Sequence, residues 1–271
     1  MGRWYDYHWP VPAAAAAVAL VHGAGEYCGR YQAWADVLNA AGFALVGSDL
    51  PGLGRSGGRR GDIADFAEYL DTVDHILRHA RDLYPEQPLF LFGHSLGGLI
   101  SVRYLQTRTP AVPLAGLVLS SPALRLKMPV PAWKSRLAAL ARAIWPTLAV
   151  PAGIDAKIVT QNPTVIKESE NDPLQVNSVT ARWYYAFVDA MAAALDASAP
   201  PCPIPALVWH AGADLLIDPA ATAVLVSRWE PARTRFGLLD GFYHEIFWDP
   251  GGDAVMADTV RWMASRTAAG S

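Results

Sequence analysis

Only two of the 271 residues are cysteines, Cys28 and Cys202. Two isolated thiols make no disulfide framework, and both are read as free and reduced. Charge is scarce too. Asp, Glu, Lys and Arg supply 17% of the chain, against about 25% in an ordinary domain. Nor is there a basic excess, since 22 Lys+Arg against 25 Asp+Glu give a formal net charge of −3. Apart from Arg59 and Arg60 the cations are scattered. That excludes a nucleic-acid partner, which needs a basic face to replace phosphate counterions. The longest charge-free apolar run near the start, Pro10 to Val21, is shorter than the roughly 18 residues of a spanning helix. It is preceded by one cation, Arg3, which Asp6 opposes, so it makes a poor signal peptide and a cytoplasmic location is expected. What is abundant is apolar: 52% hydrophobic residues and ten tryptophans exclude disorder. A chain of this length buries roughly three quarters of its unfolded surface and needs no covalent staple.

The apolar residues fall into short runs that do not alternate with polar ones, the mark of strands covered on both faces. They are Val18–His22, Phe43–Ser48, Pro88–Phe92, Leu114–Ser120, Ala206–His210 and Thr234–Leu239. Amphipathic helical stretches separate them: Tyr31–Ala41, Asp65–Tyr84, Leu96–Thr109, Pro219–Trp229 and Asp253–Arg266. Such alternation predicts an α/β fold with a mostly parallel central sheet and helices on both of its faces. From Ala123 to about Pro200 no buried-strand run occurs, and Pro129, Pro131, Pro146, Pro151, Pro163 and Pro173 cut the helical pieces. This predicts a helical cap over residues 123–179, inserted before the strand Ala206–His210. A helix from Thr180 to Leu195 would return the chain to the second part of the core, residues 180–271.

The sharpest chemical signal is Gly93-His-Ser95-Leu-Gly97-Gly98, a G-x-S-x-G directly after an apolar strand and directly before a helix. That context makes it a nucleophile elbow: the turn lifts the Ser95 hydroxyl out at the carboxyl end of the sheet. It also aims the first helix amides at any oxyanion formed there. A serine needs a base and an acid to orient it, in the chain order Ser, Asp or Glu, His. Of the two histidines after Ser95, His210 lies inside a strand run, whereas His244 lies on the loop past the last strand and is the expected base. Asp214, just past the strand that carries His210, is the expected acid. Asp218 precedes Pro219 and reads as a helix N-cap, and Asp240 is a weaker third candidate.

A second oxyanion donor is expected in Val21-His-Gly23-Ala24-Gly25-Glu26, where the glycines admit close approach and the Ala24 amide joins that of Leu96. His22 reads as a loop brace. The glycine loop from Asp49 to Gly58 fits neither a P-loop nor G-x-G-x-x-G and reads as a structural turn. His75 and His79 are one helical turn apart but lack a third metal ligand, so they read as a solvated face, and Cys28 as structural. No metal and no cofactor is expected.

Together these residues resemble the α/β-hydrolase superfamily, and within it the monoacylglycerol lipase and lysophospholipase group. His22-Gly-Ala-Gly-Glu-Tyr-Cys-Gly-Arg-Tyr31, Asp49-Leu-Pro-Gly-Leu-Gly-Arg-Ser56, Gly93 to Gly98, Leu119-Ser-Ser-Pro122, Ala211-Gly-Ala-Asp214 and Tyr243-His-Glu-Ile-Phe247 match that group's signatures in its order. Asn171-Asp-Pro-Leu174 and Arg182-Trp-Tyr184 resemble its bacterial phospholipase branch. The amino end departs from the pattern, with one strand around Arg3–Trp9 in place of a leading pair. The resemblance implies a serine carboxylic-ester hydrolase acting on a monoacylglycerol or lysophospholipid through an acyl-enzyme. Glu26 and Arg30 would then face the alcohol, or form a structural ion pair. A peptidase or acyltransferase could use the same triad, and a non-catalytic binding member of the fold would lack one of its residues. Within the cap, Pro129–Trp133 and Leu137–Trp145 are apolar but interrupted by Lys134, Arg136 and Arg142. That composition suits a lid that shelters an acyl chain and transiently touches a membrane surface.

Overall fold

The computed structural model describes residues 3–127 and 144–267. In chain order the strands are β1 (Asp6–Trp9), β2 (Ala16–Val21), β3 (Phe43–Ser48), β4 (Leu89–His94), β5 (Gly116–Ser120), β6 (Ala149–Pro151), β7 (Ser178–Thr180), β8 (Ala206–Ala211) and β9 (Thr234–Leu239). The helices are α1 (Gln32–Ala40), α2 (Ala67–Leu83), α3 (Leu96–Thr107), α4 (Ala156–Val159), α5 (Pro163–Glu170), α6 (Ala181–Ala194), α7 (Pro219–Val226) and α8 (Gly252–Thr267). Seven strands form one sheet in the order β1-β3-β2-β4-β5-β8-β9, and only β1 runs antiparallel to its neighbour.

The non-alternating runs have a direct cause. Ala17, Ala19 and Val21 of β2 pack into one apolar layer with Val73, Ile76, Leu99 and Trp183 of α2, α3 and α6. Their neighbours Ala16, Val18 and Leu20 pack into the opposite layer with Trp34, Leu38, Met256 and Trp262 of α1 and α8. Both faces of β2, β3, β4, β5 and β8 are therefore dry. The last strand differs from expectation. β9 is parallel to β8 but lies at the sheet edge, so its side chains are only partly covered and Leu238 is 50% exposed.

Within 123–179, helices α4 and α5 and the two-stranded ribbon β6–β7 are described. Several ties join this segment and the start of α6 to the core. The Val176 amide donates to the Gly25 carbonyl at 2.8 Å, and the Glu245 amide to the Val159 carbonyl at 2.7 Å. Asp62, past the Asp49–Gly58 loop, accepts from Thr180 Oγ1 at 2.5 Å and pairs with Arg182 at the start of α6. Most of the apolar cap pieces, Pro129–Trp133 and Leu137–Ala143, lie outside the described residues. Ile144 and Trp145, which come next, are 75% and 61% exposed. Among the described residues no helix is long and apolar enough to cross a membrane. Both thiols are free.

Candidate active site

Ser95 sits between β4 and α3 with φ 52° and ψ −115°, a left-handed conformation rare for a residue with a side chain. The surrounding glycines allow it. A Cβ on Gly93 would lie 2.5 Å from the Gly97 carbonyl oxygen, and one on Gly98 would lie 2.8 Å from Pro122 Cβ. One on Gly97 would collide with the Val21 carbonyl oxygen of β2. Backbone bonds then hold the turn. The Ser95 amide donates to Ser120 O at 3.0 Å, and its carbonyl accepts from Leu99 N at 3.1 Å and Ala123 N at 2.9 Å.

The three predicted polar residues meet there. His244 Nε2 is 2.8 Å from Ser95 Oγ, and its Nδ1 is 2.6 Å from Asp214 Oδ2. Asp214 is wholly buried, and its Oδ1 accepts from the amides of Leu216 at 2.8 Å and Ile217 at 2.9 Å. An ionised carboxylate only accepts. It therefore keeps the proton on His244 Nδ1 and leaves Nε2 free to take one from Ser95. Burial alone would raise the Asp214 carboxyl, but the charge and hydrogen bond of His244, the His210 ring beside it and the Ile217 amide hold it far below the carboxylate range. Burial alone would lower His244, yet the charge and hydrogen bond of Asp214, with the charges of Glu245 and Glu26, together outweigh it and hold the imidazole above its ordinary 6.5. Protonated His244 cannot accept the serine proton, which sets the sign of the pH dependence. In a kcat/KM profile for a neutral ester, activity is expected to fall on the acid side with its midpoint above 6.5. Full activity retained at about pH 5.5 would contradict this.

The Leu96 amide opens α3 and has no acceptor within the helix. The loop after β2 comes close to it, for a Cβ on Gly23 would lie 3.3 Å from Ser95 Cβ. Ala24 and Ser95 line the same cavity. Glu26 holds this loop from within, its Oε1 accepting from the Gly23 amide at 2.5 Å and from Tyr31 Oη at 2.7 Å. Arg30 bridges Glu26 at 2.7 Å and Glu245 at 3.0 and 3.1 Å. Glu26 and Arg30 thus form an ion pair, extended by Glu245, and all three still stand on the cavity wall. The cavity, about 490 Å³, is lined by apolar residues, among them Leu126, Val179, Trp183, Phe187, Leu216 and Ile217, and by polar ones, with Gln175 and Asn177 beside these charges.

Other expectations find their places. Asp218 caps α7 through the Ala220 amide at 3.0 Å. His22 braces two loops, accepting from Leu50 N at Nε2 and lying 2.9 Å from Gly23 O through Nδ1. His22, Cys28 and Asp49 bring ligand atoms within 4.8 Å of one another. However, both ring nitrogens of His22 are engaged, and Asp49 accepts from the amides of Cys28 and Arg55. The cluster is thus a hydrogen-bonded brace. Asp240 makes no part of the Ser95–His244–Asp214 row.

Sequence reasoning did not find Glu245 as the second partner of Arg30, or Lys127, whose Nζ donates to the Asp214 carbonyl at 2.6 Å. It also missed His210 as a neighbour of Asp214, 3.5 Å from Oδ2. The last had a signal, an i, i+4 spacing across a strand end.

Known proteins match this arrangement over most of its length. The Hydrolase_4 family model, described as serine aminopeptidase, S33, matches residues 12–251. Phospholipase YtpA of Bacillus subtilis is 33% identical over 89% of this chain and 92% of its own. The monoacylglycerol lipase of Mycolicibacterium smegmatis is 29% identical over 96% of this chain and 92% of its own. The crystal structure of Paleococcus ferrophilus monoacylglycerol lipase superposes with a TM-score of 0.85 at 33% identity, covering 97% of this chain and 99% of that one. The chain therefore belongs to the Hydrolase_4 family and is an α/β-hydrolase of the lipase and esterase kind.

Proposed function

We propose that the protein hydrolyses a fatty acyl ester of a monoacylglycerol or lysophospholipid through an acyl-enzyme. The observation that carries this reading is the Ser95–His244–Asp214 row opening onto a cavity lined by both apolar and polar residues. The names of the relatives support it, since they are a phospholipase and monoacylglycerol lipases. Ser95 Oγ attacks the ester carbonyl carbon while its proton passes to His244 Nε2, and Asp214 stabilises the imidazolium. The amides of Ala24 and Leu96 receive the oxyanion. Collapse of the tetrahedral intermediate expels the alcohol, which takes the proton from His244. Water, deprotonated by His244, then attacks the acyl-serine and releases the fatty acid. The apolar lining residues take the acyl chain, and Glu26 and Arg30 meet the alcohol as a charge-paired part of the wall.

A fluorophosphonate probe tests this, because it reacts only with an activated serine. Wild-type protein is expected to label and to hydrolyse monoacylglycerol, and Ser95→Ala to do neither. A wild type that does not label overturns the reading. The family description favours one alternative, a peptidase. Of the carboxylates lining the cavity, Glu26 and Glu245 are engaged by Arg30, so an N-terminal ammonium would have to meet Asp155 or Glu170. Hydrolysis of aminoacyl arylamides faster than of monoacylglycerols would restore that alternative.

We also propose that residues 123–179 act as a lid whose outer surface touches lipid. The exposed pair Ile144 and Trp145 supports this, since an indole beside an aliphatic chain partitions into the interface between headgroups and acyl chains. The double variant Ile144→Ser/Trp145→Ser is expected to co-sediment with liposomes several-fold less than wild type. Equal co-sedimentation of both proteins, or none by either, counts against the proposal.

A further inference from the structure

Among the described residues, one buried histidine nitrogen has no hydrogen-bond partner, Nε2 of His210. His210 is the last but one residue of the buried strand β8, and its ring is wholly inaccessible to solvent. Its Nδ1 lies 2.9 Å from Thr222 Oγ1, on α7. Its Nε2 lies 3.5 Å from Asp214 Oδ2, the same oxygen that His244 Nδ1 binds at 2.6 Å. Two neutral tautomers are available to it. With the proton on Nδ1, a ring lone pair would face a buried carboxylate, two negative ends opposed in a dry site. With the proton on Nε2, an N–H dipole faces the carboxylate and Nδ1 accepts from the Thr222 hydroxyl. The second arrangement turns an N–H rather than a lone pair toward the carboxylate, lets Thr222 donate to Nδ1, and is the one the surroundings select. Burial keeps this imidazole neutral by lowering its pKa.

We infer that His210 is a positioning residue for the proposed ester hydrolysis. It is steered by Thr222, orients Asp214, and limits how strongly Asp214 raises the basicity of His244. At 3.5 Å the contact is too long for a full hydrogen bond. It acts as an oriented dipole on an oxygen already shared with His244, where low dielectric strengthens such terms. The other groups around the His244 ring come from separate elements. They are Ser95 and His94 at the end of β4, Glu26 after β2, and Glu245 beside it. Glu26 and Glu245 are matched by Arg30, which does not touch His210. A change at His210 therefore reaches His244 through Asp214. This inference rests on the catalytic reading of Ser95, His244 and Asp214.

The test is the pH profile of kcat/KM for a neutral ester in wild type, His210→Leu, His210→Gln and Thr222→Val. Each concentration is set by active-site titration with a fluorophosphonate, so that unfolded protein is not counted. His210→Leu removes the dipole. Its acid midpoint is expected to rise by about half a pH unit or more, with kcat falling about tenfold and KM holding within about twofold. Gln can place an N–H near the position of Nε2 and is expected to return the midpoint to that of wild type. Thr222→Val, nearly isosteric, is expected to shift it in the Leu direction by less. Midpoints for His210→Leu and Thr222→Val within about 0.1 unit of wild type overturn the inference. So does a His210→Gln midpoint that matches Leu. Should His210→Leu fail to fold, Thr222→Val and His210→Gln decide between these outcomes. A wild type that titrates with the probe keeps the catalytic reading intact whichever way the midpoints fall.

Discussion

Asparagine in place of Asp214 is expected to lower kcat about 10⁴-fold while the protein stays folded. The amide oxygen of Asn can still accept from the Leu216 and Ile217 amides, which Asp214 Oδ1 now satisfies at 2.8 and 2.9 Å. That choice turns the amide NH₂ toward His244. The ring must then present a lone pair at Nδ1 and carry its proton on Nε2, facing Ser95 Oγ across the 2.8 Å contact. A base with its proton on the wrong nitrogen cannot accept another. The matched control is Asp218→Asn. Asn caps helices as well as Asp does, and the Arg125–Asp218 pair it would lose is half exposed at 3.3 Å, worth under about 1 kcal/mol. Asp218→Asn is therefore expected to keep kcat within about twofold. Steady-state rates on a single ester check both, and equal losses in the two variants would reverse the assignment of the acid.

Alanine at Gly97 is the other large effect, and it acts on folding. The added methyl would strike the Val21 carbonyl oxygen and lie 2.6 Å from that of His22. Both are main-chain atoms at the end of the central strand β2, so neither can swing aside as a side chain would. Helix α3 would have to lift off the sheet, which loosens the Ser95 turn with it. Overpacking of this kind costs about 3 kcal/mol or more, or roughly 10 °C in thermal midpoint for a chain of this size. Calorimetry measures the shift. A midpoint within about 2 °C of wild type would mean that α3 does not rest on β2 at this point.

Features that are local, or that chain order dictates, were legible in the sequence. The elbow glycines, the strand before them and the helix after them are contiguous, so Ser95 could be read with its context. Asp214 and His244 could be assigned because their order is fixed and each comes just after a strand run. Asp218 was separable from Asp214 because Pro219 marks a helix start. Contacts between distant segments were not legible. Arg30 and Glu245 meet at a sequence separation of 215, and Asp62 and Arg182 at one of 120, with no spacing rule linking either pair. The edge position of β9 was hidden for a similar reason. Its composition matches that of an inner strand, and only the strand order leaves Leu238 half exposed. The two roles open to Glu26 and Arg30, ion pair or cavity wall, could not be separated by sequence because the side chains do both.

The ties that fasten 123–179 to the core also set a rule for exchanging parts between relatives. This segment is stitched through Val176 to Gly25, the neighbour of Ala24, and through Val159 to Glu245, the neighbour of His244. Asp249 adds a third stitch, accepting from Thr160 Oγ1 at 2.9 Å and from the Tyr243 amide at 2.7 Å. A chimaera that imports another enzyme's lid at its sequence borders alone would leave these seams mismatched, displacing both loops that flank Ser95. A graft that carries Gly25, Asp62, Glu245 and Asp249 along with residues 123–179 keeps these seams matched. The unit to exchange is then discontinuous: residues 123–179 together with anchoring positions scattered through the core.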